Sequence, residues 1–205
     1  MAQAFDAAAV RAEFPILRTS LHDGVPLHYL DNAATSHMPE TVQDAICNHD
    51  FRHRANVKRG VHYLAERATE AYEAARTQVA RYVNAASDQE IIFTSGTTGA
   101  LNLVAHAFGA TLSPGDEIVI SMLEHHSNFV PWQLLRDRLG IVLKALPATE
   151  DGRVNVSALA ETVTKRSKLI SVTHISNVTG GETDLAAVVE AARAVGAKVA
   201  VDGAQ

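Results

Sequence analysis

Cysteine is almost missing from this 205-residue sequence; Cys47 stands alone. A single thiol cannot close an internal disulfide, and such usage suits a reducing compartment. There is no run of 18 apolar residues, which excludes a membrane-spanning helix of ordinary length. There is no basic stripe either. Lys and Arg number 18 against 23 Asp and Glu, a formal net charge of -5, and they are scattered. Nucleic acid and anionic membrane surfaces are therefore excluded as partners. The opening "MAQAFDAAAVRAEFP" has acids at Asp6 and Glu13 and no basic segment before a long apolar core, so it does not read as a secretory signal. Cytoplasm is the expected location. Pro- or Ser-rich linkers, low-complexity tracts and internal repeats are also lacking. What is present is ordinary for a globular protein, 47% hydrophobic and 20% charged, with enough chain for one large or two small domains.

Patterning divides the chain near residue 85. Residues 1–85 read as a mostly helical arm and segment, and residues 86–205 as an α/β domain. In "LAERATEAYEAARTQVARYV", Leu64, Ala68, Tyr72, Ala75, Val79 and Tyr82 recur at three- and four-residue steps, which predicts an amphipathic helix packed by that face. Beyond it, "EIIF" predicts a short buried strand, followed by a Gly/Thr turn and a helix. "EIVIS", "IVLKAL", "KLISVTHIS" and "AKVAV" predict further strands. Helices fall between them: "NFVPWQLLRDRL" with Pro131 tolerable in its first turn, "VSALAETV", and "TDLAAVVEAARAVG" with Gly196 as its stop. Apolar strands alternating with helices imply a mostly parallel sheet flanked by helices on both faces. In such sheets ligands bind beyond the carboxyl ends of the strands.

Four polar clusters fall at those ends. In "TSGTTGALN", Gly96 permits a tight turn, and Thr97 and Thr98 open a helix whose first N–H groups suit a phosphate; a plain N-cap explains the same residues. It is not a dinucleotide fingerprint, since G-x-G-x-x-G is absent. In "LEHHSN", His125 and His126 point to opposite sides and lack metal-site spacing, but one imidazole could stack on an aromatic ligand. Asn177 in "HISNVTGG" follows a strand, where a turn-forming Asn is the simpler explanation. Asp202 follows the alternation Val199, Ala200, Val201, which delivers it to the rim of the sheet, where it could be only a cap. Together, an anion cradle, an imidazole, an amide and a carboxylate suit an aromatic cation bearing a phosphate. Pyridoxal 5'-phosphate (PLP) is such a molecule, and a carboxylate at its ring nitrogen keeps the ring protonated.

The stretches "VRAEFPIL", "YLDNAAT", "RGVHYLAERAT", "SGTTGALNLVA", "EHHSNFVPWQ", "THISNVTG" and "GAKVAVDGAQ" resemble, in order, the class V aminotransferase superfamily and most closely its SufS-like cysteine desulfurases. The resemblance implies the large domain of a fold type I PLP enzyme. It implies that Thr97 and Thr98 hold the cofactor phosphate, His125 stacks on the ring and Asp202 pairs with the ring nitrogen. Gln205 would bond the phenolic oxygen, and Asn177 would help place the substrate. It further implies conversion of L-cysteine to L-alanine, with sulfur passed as a persulfide towards a sulfur-acceptor protein and iron–sulfur cluster assembly, in a homodimer.

Two departures follow from the same resemblance. Relatives commonly have His where Lys58 stands, so Lys58 and the adjacent Arg59 receive no role. The family's cofactor-bearing lysine and sulfur-accepting cysteine lie beyond the "DGAQ" region and match nothing in this chain, and Cys47 does not correspond to the acceptor. The chain thus reads as the N-terminal portion of such an enzyme, truncated and with no catalytic residue of its own. Selenocysteine lyase and other class V chemistries stay open, as does a non-catalytic, partner-binding fragment. An acyl-adenylate-forming ligase also uses a Ser-Gly-Thr-Thr-Gly loop, but normally continues it with Pro and Lys where Ala100 and Leu101 stand.

Overall fold

A computed structural model describes residues 5–205, so the first four residues of the opening stretch lie outside the described residues. The chain forms two compact units, one ending at Ile92 and the other Phe93–Gln205.

The first unit is helical. Helix α1 (Ala7–Ala12) is capped by Asp6, whose side chain accepts from the Ala8 and Ala9 amides. Helices α2 (Glu40–Arg52) and α3 (Tyr63–Tyr82) follow, with single 3-10 turns at Pro15–Arg18, His22–Gly24 and Asp88–Glu90. The face that α3 packs differs from the expected stripe. Ala65, Ala68 and Ala80 are buried, whereas Leu64, Val79 and Tyr82 are exposed, Tyr82 at 90%. The reason is polar. The buried stripe passes through Tyr72, Glu73 and Arg76, and Arg76 donates to the Ile91 carbonyl, to Glu73 and to the Tyr72 hydroxyl. Apolar spacing alone does not see an arginine that packs because its donors are satisfied. Lys58, at φ 65°, places its ammonium 2.7 Å from Glu73, and this hydrogen bond holds the Glu73 carboxyl below its usual range.

The second unit is an α/β layer structure. Its elements are α4 (Gly96–Gly109), β1 (Glu117–Ser121), α5 (Val130–Leu139), β2 (Val142–Leu146), α6 (Leu159–Thr162), β3 (Ser167–Thr173), α7 (Leu185–Val195) and β4 (Lys198–Asp202). The three ladders among these strands are parallel and the strand order is β2-β1-β3-β4. Residues 90–93, expected to be a strand, form no ladder among the described residues; Glu90 ends a 3-10 turn, and Ile92 and Phe93 are exposed. Four apolar-leaning residues suggest extension but do not supply a partner.

Alternation along β1 sorts the core into two faces. Ile118 and Ile120 pack with Ala105, Trp132, Leu135, Ile141 and Leu169. Val119 joins Leu146, Val154, Leu159, Ile170, Val172, Val188 and Ala192 on the other side. Gly109 explains how closely α4 and α5 approach: a Cβ there would lie 2.7 Å from Leu135 Cδ2. Helix α7 buries Val188 and Ala192, half-buries Leu185, Val189 and Val195, and ends at Gly196 with φ 75°, as its sequence predicts.

Candidate functional site

The strand order creates a switch point. From β1 the chain leaves through α5 to β2 on one side, and from β3 it leaves through α7 to β4 on the other. The connections diverge between the carboxyl ends of β1 and β3, the place where sheets of this kind take their ligands. The loops that begin at Met122 and His174 leave from those ends, and Asp202 ends the adjacent strand.

Each candidate cofactor-binding residue singled out in the sequence lies in the second unit. Gly96 opens α4 with φ 71°, and no side chain caps this helix among the described residues, whereas Asp184 caps α7 by accepting from the Ala187 amide at 3.1 Å. The Gly96 amide donates to the Thr94 carbonyl at 3.1 Å, and the N–H groups that follow it in α4 are left as donors beside the side chains of Thr97, half-buried, and Thr98, exposed. Helix α4 packs against the 3-10 turn His126–Asn128 that follows β1. His125 begins that turn. Its Nδ1 accepts from the Ser127 amide at 3.2 Å and lies 2.8 Å from Ser127 Oγ, so the proton of a neutral ring sits on Nε2. The rings of His125 and His126 stand at 77° with centroids 6.0 Å apart and do not converge on one point.

Asn177 is exposed on a turn held by the Ser176 hydroxyl, which accepts from the Val178 and Thr179 amides. Asp202 is only 5% exposed. Thr173 is its register partner on β3, its carbonyl accepts from the His174 amide at 2.8 Å, and its Oδ1 accepts from the Ala204 amide at 3.1 Å. It therefore does cap the following turn, while its carboxylate stays at the buried rim. Gln205 is exposed just past that turn.

Sequence reasoning missed a buried network behind these residues. Glu124 Oε1 accepts from the Thr173 amide at 2.8 Å and from the Ser121 hydroxyl, and its Oε2 accepts from Asn128 Nδ2 at 2.5 Å. Asn128 Oδ1 in turn accepts from Trp132 Nε1 at 3.1 Å and from Ser171 Oγ at 2.7 Å. Burial pushes the Glu124 carboxyl above its usual value, and the charge of Asp202 adds to this, against the hydrogen bonds from Ser121, Thr173 and Asn128. The available signal was the spacing of Glu124, Asn128 and Trp132, four residues apart along "EHHSNFVPW". The arrangement offers helix N–H donors and hydroxyls, an exposed imidazole and a buried-rim carboxylate near one end of the sheet. That donor set fits a phosphorylated aromatic cation.

The family profile "Aminotransferase class-V" matches residues 28–205. The chain belongs to the class V aminotransferase family. A family member from Dickeya dadantii, named cysteine desulfurase, is 47% identical over 197 residues, covering 96% of this chain and 48% of its own. The apo structure of a cysteine desulfurase from Thermococcus onnurineus superposes with a TM-score of 0.89 at 35% identity, over 99% of this chain and 48% of that one. A cysteine desulfurase from Escherichia coli superposes with a TM-score of 0.85 at 40% identity, over 99% and 50%. The chain spans about half the length of the curated relatives it matches. These neighbours share its parallel sheet flanked by helices, the large-domain architecture of fold type I. Among the described residues, no helix is long and apolar enough to cross a membrane.

Proposed function

We propose that this chain forms the cofactor-binding portion of a PLP-dependent cysteine desulfurase. The carrying observation is Asp202: a carboxylate 5% exposed at the carboxyl end of β4, beside the switch point of a class V sheet. The open N-terminus of α4, with Thr97 and Thr98, would hold the phosphate through backbone N–H groups and hydroxyls. His125, with its Nδ1 engaged by Ser127, would present its ring face to the pyridine. Asp202 would keep the ring nitrogen protonated, Gln205 would donate to the phenolic oxygen, and Asn177 would orient the substrate. When bound, PLP supplies the electron sink for bond cleavage next to the amino-bearing carbon.

The reaction breaks the C–S bond of L-cysteine, releases L-alanine and leaves the sulfur as a persulfide on an enzyme thiol. Cys47 is not assigned that thiol; it is half-buried on α2, and Gln43 Nε2 donates to its sulfur at 3.2 Å. The same reading makes the whole protein a cytoplasmic homodimer that hands sulfur to an acceptor protein for iron–sulfur cluster assembly. The test is the product of the complete reading frame, supplied with PLP and either L-cysteine or L-selenocysteine. Alanine formed from cysteine, together with sulfane sulfur on the protein, is expected. Turnover of selenocysteine alone, or no PLP absorbance, overturns the reading.

A further inference from the structure

The proposed PLP ligands do not account for the buried network behind them. Trp132 is fully buried and its indole N–H can only donate, so Asn128 must turn its carbonyl oxygen towards it. The Ser171 hydroxyl donates to that same oxygen. With Oδ1 occupied twice, the amide group of Asn128 faces Glu124 in a fixed sense. Glu124 then grips the Thr173 amide on β3 and the Ser121 hydroxyl on β1, and Ser121 Oγ also accepts from the Leu123 amide at 3.2 Å. One carboxylate thereby ties the ends of two strands to helix α5. His125 is its immediate neighbour in the chain, and Asp202 is the register partner of the Thr173 whose amide it holds.

We propose that Glu124 is a positioning residue that fixes His125 relative to Asp202 at the cofactor site, through a hydrogen-bond chain anchored on Trp132. A half-buried carboxylate is a costly way to join two strands, and apolar packing would do it more cheaply. What the carboxylate adds is direction. Every partner approaches it as a donor, so only one arrangement of the Glu124–Asn128 pair satisfies them all. The inference rests on the PLP reading of His125 and Asp202.

Glu124→Gln distinguishes the role. The new side-chain amide would face Asn128 Nδ2, donor against donor, and rotating Asn128 would set its NH2 against the Trp132 N–H. The double substitution E124Q/N128D restores the pattern, because the aspartate introduced at 128 accepts from the amide at 124, from Trp132 and from Ser171. The measurement is the visible circular dichroism of PLP bound to the product of the complete reading frame, which reads the asymmetry of the ring's setting, with thermal melts as a check on folding. E124Q is expected to bind PLP but lose most of that signal, and E124Q/N128D to recover it. A folded E124Q with the wild-type signal, or a double variant that recovers nothing, overturns the inference. Should E124Q not fold, Ser171→Ala, which loosens Asn128 without altering charge, is expected to lower the signal; an undiminished signal there overturns the inference equally. A wild-type protein that takes up no PLP overturns the functional reading, and this inference with it.

Discussion

Lys144 on β2 holds its ammonium 3.0 Å from the carboxylate of Glu117 on β1, a side chain with no solvent exposure. The pair sits at the amino end of β1, opposite the candidate site. Thr164 Oγ1 donates to the same carboxylate oxygen at 2.6 Å and Ser167 Oγ at 3.2 Å, and Arg166 approaches the other oxygen at 3.1 Å. Burial by itself would raise this carboxyl, but the hydrogen bonds from Thr164 and Lys144 and the lysine charge outweigh it, and the group lies below its usual value. A depressed carboxyl stabilises the fold at pH above its unfolded value, roughly 4.3, and that contribution is lost as pH falls through the folded value. Glu117→Gln should therefore lower the melting temperature at neutral pH and flatten its decline in acid. An acid limb as steep as that of wild type would remove Glu117 from the account.

Replacing Asp202 by Asn in the product of the complete reading frame keeps the shape of the side chain and its contact with the Ala204 amide but removes the charge. A charge-assisted hydrogen bond contributes roughly 1.5 to 3 kcal/mol, so alanine formation should fall at least about tenfold if the bond strengthens in the transition state. PLP uptake should suffer less. Cys47→Ser in the same protein should leave the rate nearly unchanged. Full activity with an unaltered cofactor spectrum in D202N would reduce Asp202 to a turn cap.

Gly109→Ala places a methyl group 2.7 Å from Leu135 Cδ2, inside the α4–α5 contact. Overpacking of this kind typically costs about 1 to 3 kcal/mol. Because α4 carries Thr97 and Thr98 at its other end, the substitution should weaken PLP binding as well as lower the melting temperature. Pairing it with Leu135→Ala should recover part of both. Binding that is unaffected by a clear loss of stability would mean that the α4 N-terminus is set independently of this contact.

The four strands and α7 with its glycine stop were legible because each has a local signature: apolar alternation for the strands, a polar cap and a terminal glycine for the helix. The candidate site residues rest on a weaker local sign, a polar group directly after a strand. Features that depend on a distant partner were not. "EIIF" has strand composition, but a strand exists only with a ladder, and residues 90–93 form none among the described residues. The packed face of α3 was misplaced because Arg76 and Glu73 are held by the Ile91 carbonyl and Lys58, relations that no helical period encodes. Glu124 was passed over for the same reason, since its meaning comes from Thr173, 49 residues away. His125 and Asp202 stand out because their chemistry suits a ligand, whereas the hydrogen bonds of half-buried Glu124 all run to protein donors.

The strand order also governs how the sheet can come into being. Glu117 pairs with Val142 on one side and with Ser167 on the other, and Leu169 pairs with Lys198, so no two neighbouring strands are joined by a hairpin. Every ladder waits for a long loop to close, which makes assembly slow for a domain of this size. During synthesis from the N-terminus, β2 can join β1 early. The opposite edge of β1 stays unpaired until Thr173 has been made, and through that interval it offers a row of free backbone groups to any extended chain nearby.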